Sequence, residues 1–269
     1  MSNQIEFKGR RVSYQESEGS GRAVIFIHGN SASAGTWVAQ LDGPIGQQYR
    51  CIALDLPGHG DSEAPADPND WSLPGYAEVV RSVAEAADAT DAVLVGWSLG
   101  GHIALEAVPQ FTALAGVAIF GTPPMGMPPA MDQAFLPSPA MAATFAPELD
   151  AELERLFVEG MVAAGSDFDL DEFFVDARRT NGGARGGLGA SMQEGRFLDE
   201  LEVINGLSVP LAIIHGAEEQ LVSGDYLDSL TPPTLWRGAV QRISGSGHSP
   251  HRETVDQFNA LLGEFLADC

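Results

Sequence analysis

The chain has 269 residues, 44% of them hydrophobic, enough for one sizeable core or a core with a small insertion. Its 37 acidic residues against 14 Lys and Arg give a formal net charge of -23, a surface that repels nucleic acid and anionic membranes. Two cysteines, Cys51 and Cys269, are too few for a disulfide framework or a cysteine-held metal.

Residues 1–20 are polar and charged with no apolar leader, and no run of about 18 apolar residues could span a membrane, so a soluble cytoplasmic protein is expected. Loose alternation over 5–15 predicts an N-terminal hairpin. Ala23–Ile27 is a continuous apolar run ending at His28-Gly29, the pattern of a strand buried on both faces of a parallel sheet. Residues 36–45 read as a short helix and 49–54 as a second buried strand, ending in Asp55-Leu56-Pro57-Gly58-His59-Gly60. A loop over 65–74 leads to a helix over 75–89, with Tyr76, Val79, Val80, Val83 and Ala87 on one face. A strand over 91–96 enters Gly96-Trp97-Ser98-Leu99-Gly100, and an apolar-periodic helix over 99–108 leaves it. The next strand, 115–120, ends at Gly121-Thr122-Pro123-Pro124.

Composition changes there. Residues 123–147 hold seven prolines and four methionines, which argues against a regular element. Helices are predicted over 147–164, 167–179 and 191–204, and the glycine-rich stretch 180–189 is assigned none. Residues 123–206 therefore read as a helical cap inserted into a core made of 1–122 and 207–269. The cap's Met and Phe side chains read as its own core, or alternatively as an apolar lining for an acyl chain. Strands resume over 210–214, ending His215-Gly216-Ala217-Glu218-Glu219, and over 235–243, ending Gly245-Ser246-Gly247-His248, before a terminal helix over 254–266. Strands alternating with helices predict an α/β fold, a mainly parallel central sheet with helices on both faces.

Gly-x-Ser-x-Gly between a strand and a helix is the signature of a nucleophile elbow. The serine sits in a strained turn, so its neighbours must be small, and its Oγ lies at a helix N-terminus that favours developing negative charge. A serine hydroxyl needs a base, usually a histidine oriented by a carboxylate, and on this fold the chain order is Ser, acid, His. His28 and His59 precede Ser98 in glycine turns and read as structural. His102, one turn beyond Ser98, is expected to point along its helix, and His215, ending a strand, to be buried and hydrogen-bonded. His251 opens the terminal helix. His248, in a glycine-flanked loop after the last strand, is the expected base. Glu218 and Glu219 both follow the strand that ends at His215; many proteins of the nucleophile-elbow fold carry Gly-x-x-Asp at this point, and by that resemblance Glu219, third from Gly216, is preferred as the acid. The backbone N–H groups of Leu99 and Asn30 are the expected oxyanion donors. The Asn30 side chain either holds a substrate carbonyl or closes a local turn.

No His pair or Cys cluster has zinc-ligand spacing, and no phosphate-binding glycine loop opens a helix, so neither metal nor cofactor is expected. The expected partner is a small-molecule ester or lactone with an apolar acyl part. His28-Gly29-Asn30 is also found in dehalogenases and epoxide hydrolases, but these use an aspartate nucleophile where this chain has Ser98.

His28-Gly29-Asn30-Ser31, Asp55 to Ser62, Gly96 to Ile103, Gly121 to Pro124 and Ser246-Gly247-His248 together resemble the α/β-hydrolase superfamily across the whole core. With Glu219 as acid and Trp97 and His102 around the elbow, the chain is similar to the metal-independent, AidH-type N-acyl-homoserine lactonases of that fold. The resemblance implies quorum quenching by ring opening of the lactone, with a helical cap over the acyl chain. A general carboxylesterase or small-lactone hydrolase is the alternative on the same fold, and a non-catalytic receptor the alternative of another class.

Overall fold

The computed structural model describes residues 2–269. Eight strands form one sheet: β1 (Ser2–Phe7), β2 (Arg10–Glu16), β3 (Ala23–Ile27), β4 (Arg50–Leu54), β5 (Val93–Trp97), β6 (Gly116–Phe120), β7 (Leu211–Gly216) and β8 (Gln241–Ile243). Their order is β1-β2-β4-β3-β5-β6-β7-β8. The β1–β2 hairpin and its pairing with β4 are antiparallel, and every other pairing is parallel. All residues of β3, β5, β6 and β7 are buried, as continuous apolar runs in a sheet covered on both faces require.

The chain runs from β3 outward to β4, then returns to β5 on the other side of β3. The strand order therefore reverses between β3 and β5, and in open α/β sheets ligands bind outside the carboxyl ends of strands at such a point. Asn30 follows β3 there, and Ser98 follows β5.

Helices Leu73–Ala86 and Leu99–Ala107 pack against each other, and Val255–Asp268 ends the chain. Between β6 and β7 lie the helices Met131–Ala134, Met141–Thr144, Ala151–Glu159, Asp171–Arg179, Gly182–Gln193 and Glu200–Gly206, with no strand. No helix among the described residues is long and apolar enough to cross a membrane.

Four local readings need correction. The proline-rich stretch 123–147 does hold two helical turns, of four residues each. The glycine-rich stretch 180–189 is helical from Gly182, as part of Gly182–Gln193, where Trp71, Pro147 and Phe145 approach its glycines too closely for larger side chains. The helix expected over 191–204 is broken at residues 194–199, where Gly195 takes φ +69°. The last strand keeps only Gln241–Ile243, since Trp236–Gly238 is a short 3₁₀ turn with Arg237 at φ 58°.

Candidate active site

Ser98 stands at φ 53°, ψ -119°, a conformation that a non-glycine residue adopts only under constraint. The surroundings supply the constraint. Ser98 N–H donates to the Phe120 carbonyl at 2.8 Å, and Thr122 Oγ1 donates to the Ser98 carbonyl at 2.8 Å. A Cβ on Gly96 would run into the Gly100 carbonyl, and one on Gly100 into the Ile27 carbonyl. The turn therefore needs its two glycines for close approach. Ser98 caps the helix Leu99–Ala107 without spending its side chain on a capping bond.

His248 Nδ1 lies 2.8 Å from Glu219 Oε2, and both side chains are 2% exposed. Glu219 Oε1 accepts the N–H groups of Gln220 and Leu221 at 2.9 and 2.8 Å, so both carboxylate oxygens are engaged. Burial pushes the Glu219 carboxyl up, but the charge and hydrogen bond of His248, with the Leu221 N–H, outweigh it and hold the carboxyl below its ordinary value. Glu218 turns away and accepts the Ser246 N–H at 2.9 Å. The His248 carbonyl accepts from Trp97 Nε1 at 2.8 Å, which ties the histidine loop to the residue before Ser98. With Nδ1–H committed to the carboxylate, Nε2 is the free ring nitrogen, and it is buried with no partner.

Ser98, Leu99, Asn30 and His248 line one cavity, whose remaining wall is mainly apolar and includes Met125, Met131, Met141, Phe157, Met161 and Met192. The methionines and Phe157 come from the segment between β6 and β7, so side chains read as cap core also face the cavity. The Asn30 side chain is engaged on both of its polar atoms. Its Nδ2 donates to the Thr144 carbonyl at 2.8 Å, joining the loop after β3 to that segment. Its Oδ1 accepts from Ser31 Oγ, which itself accepts from Arg185 Nη1 at 2.9 Å.

The other histidines divide as follows. His28 spends both ring nitrogens internally, on the Gly29 carbonyl and the Leu56 N–H. His215 is buried, but its Nδ1 has no partner, contrary to the hydrogen-bonded state expected. His251 is enclosed by Trp37, Trp97 and Phe120, and burial pushes its pKa, like those of His28 and His59, downward. His102 does not point along its helix: Nδ1 lies 2.8 and 2.9 Å from the two oxygens of Glu200, a fully buried residue 98 positions away. No local pattern could have signalled that pair or the Arg185 contact, since each joins separate elements. Among the described residues no three His, Cys, Asp or Glu side chains are grouped to share a metal ion.

The elbow, the buried acid–histidine pair and the sheet order define a class. The chain belongs to the alpha/beta hydrolase family, whose model matches residues 24–261. Within that class it is similar over its whole length to a serine-to-glycine mutant of the N-acyl homoserine lactonase AidH complexed with N-hexanoyl homoserine lactone: 32% identity, TM-score 0.95, covering 100% of this chain and 98% of that one. An esterase from Exiguobacterium antarcticum shares the fold at 19% identity and TM-score 0.80, covering 99% and 100% of the two chains. Among curated proteins, the dihydrolipoyllysine-residue acetyltransferase component of the acetoin cleaving system of Cupriavidus necator is 28% identical over 96% of this chain and 67% of its own length.

Proposed function

We propose that the protein is a serine hydrolase that opens the ring of N-acyl-homoserine lactones through an acyl-enzyme. One observation carries the reading: His248, paired with Glu219 through Nδ1 and with no partner on Nε2, lines the same cavity as Ser98. The AidH likeness and the apolar wall support the choice of substrate.

Ser98 Oγ attacks the lactone carbonyl as its proton passes to His248 Nε2. Glu219 holds the ring in the Nδ1–H tautomer and stabilises the imidazolium. The N–H groups of Asn30 and Leu99 receive the oxyanion. Collapse breaks the ring C–O bond. His248 returns the proton to the departing oxygen, which remains tethered as an alcohol on the acyl group. Water, deprotonated by His248, then releases the open hydroxy acid and restores Ser98. Residues 123–206 serve as the cap, with their methionines and phenylalanines against the acyl chain.

The test compares kcat/KM on N-acyl-homoserine lactones of increasing acyl length with that on aryl esters, with and without a chelator. Preference for the lactones, kept in chelator and reduced on the order of 10⁴-fold in kcat by Ser98→Ala, is expected. Preference for aryl esters makes the protein a general carboxylesterase. Activity abolished by chelator contradicts the metal-free mechanism, and near-normal turnover by Ser98→Ala removes the assigned nucleophile.

A further inference from the structure

We infer that His102, held by Glu200, is a specificity-determining residue that accepts a hydrogen bond from the amide N–H of the substrate, so that the site selects N-acylated lactones over lactones and esters with oxygen functions alone. The inference rests on the lactonase reading above.

His102 lines the same cavity as Ser98 and His248. Glu200 fixes its orientation. The carboxylate is fully buried and also accepts the Met125 N–H at 2.8 Å, while the Glu200 N–H donates to the Met125 carbonyl at 2.8 Å. A carboxylate can only accept, so Nδ1 carries the proton on that side. In the uncharged ring Nε2 is then an acceptor. No hydrogen bond from the described residues reaches it, and it keeps accessible surface on a residue that lines the cavity. His28 shows what a purely internal histidine looks like here, with both nitrogens spent on backbone groups.

The other polar groups of the cavity are committed or ambivalent. Ser98 and His248 are assigned to the reaction. The Asn30 side chain donates to the Thr144 carbonyl. The Thr144 hydroxyl can donate or accept and so imposes no polarity. His102 therefore brings an oriented acceptor to an otherwise apolar wall. It also sits at the right reach. The His102 N–H donates to the Ser98 carbonyl at 3.5 Å, so the two residues lie one turn apart, and the amide nitrogen of an N-acyl-homoserine lactone is two bonds from the carbonyl that Ser98 attacks. Plain lactones and aryl esters carry acceptors only. The amide N–H is the donor that distinguishes the N-acyl class, and a site built for a donor leaves its own acceptor unpaired when the donor is missing.

The experiment is a cycle between enzyme and substrate. N-hexanoyl homoserine lactone is compared with a γ-butyrolactone that carries an alkyl tail of equal length on the same ring carbon. The enzymes are the wild type and His102→Leu/Glu200→Gln, the second change avoiding a buried unpaired carboxylate. The readout is the ratio of kcat/KM for the two substrates within each enzyme, so a loss of folded protein cancels. The wild type should favour the amide lactone, and the double variant should lose about tenfold of that ratio. An unchanged ratio overturns the inference, even where both rates fall together. If the variant does not fold, the N-methylated amide is tested on wild type, and its turnover at the rate of the parent amide overturns the inference equally. A wild type that opens neither lactone overturns the lactonase reading itself, an outcome distinct from an unchanged ratio.

Discussion

The α-carbon of Gly121 faces the ring of His248: a Cβ placed there would lie 2.8 Å from Cε1 and 3.0 Å from Nδ1. Gly121 also takes φ +59°, a region that costs a residue with a side chain about 1–2 kcal/mol. Gly121→Ala must therefore displace the imidazole or the strand end that carries residue 121. A misplacement of roughly 1 Å in a reacting group costs on the order of 10²-fold. Steady-state kinetics on the best substrate should show kcat reduced by about that factor, with near-normal far-ultraviolet circular dichroism. Unchanged kcat would mean that His248 does not need its present position.

The Glu219–His248 pair predicts a pH signature. The Glu219 carboxyl lies below its ordinary value of 4.5 in the folded protein, since His248 and the Leu221 N–H outweigh the opposing effect of burial. As pH falls, the unfolded chain takes up this proton first. The stabilisation is thus complete above about 4.5 and is lost as pH drops through the folded value. Glu219→Gln removes this titration. Its Tm should fall less steeply than that of wild type between about pH 5 and pH 3, so the difference between the two proteins narrows. At neutral pH the same variant should lose on the order of 10⁴-fold in kcat, because an amide no longer fixes the Nδ1–H tautomer. Parallel Tm profiles would contradict the lowered carboxyl.

How much of this was legible in the sequence follows the range of each interaction. The sheet was legible because β3 and β6 are continuous apolar runs and β4, β5 and β7 contain runs such as Cys51–Leu54, Val93–Val95 and Leu211–Ile214, and burial on both faces admits little else. Ser98, Glu219 and His248 were singled out because each lies shortly after a strand end and a glycine, in the chain order that the proposed mechanism needs; the structure brings Glu219 and His248 together at 2.8 Å. His102–Glu200 and Arg185–Ser31 were not legible. They join residues 98 and 154 positions apart, on elements whose docking no local pattern encodes. Helix Gly182–Gln193 was missed for another reason: glycine content argues against a helix in water but favours one where a neighbour must approach closely.

Arg185 is 4% exposed and makes no ion pair among the described residues. Its guanidinium instead donates to the Ala146, Pro147 and Ala177 carbonyls and to Ser31 Oγ. Burial without a countercharge lowers its pKa. What it holds is the Asn30-Ser31 loop, in which Ser31 is constrained at φ 56°. A lysine ammonium has three donors and no planar fork, so it cannot serve these acceptors together. Arg185→Lys should destabilise the protein by about 1–3 kcal/mol, read by urea denaturation. It should also lower kcat, because the loop that carries Asn30, the proposed oxyanion donor, loses its brace. Wild-type stability and kcat in this variant would show that the arginine fork is dispensable.

The sharpest test of the glycine-rich helix sets two effects of opposite sign against each other. Propensity alone says that Gly187→Ala, inside helix Gly182–Gln193, should stabilise the protein by about 1 kcal/mol. Packing says the reverse. A Cβ at 187 would collide with Trp71 Cβ and lie 2.7 Å from its Cγ, atoms next to the backbone that cannot swing aside as a side-chain end would. Trp71 is itself buried. Overpacking at such a contact costs about 1–3 kcal/mol, so the steric effect should win and Gly187→Ala should unfold at a lower urea concentration than wild type. Gly206 is the matched control. It ends the helix Glu200–Gly206, and a Cβ there would meet nothing within 4 Å. Gly206→Ala should leave the midpoint unchanged or raise it. If Gly187→Ala also raised the midpoint, residues 182–193 would not pack against Trp71 as described.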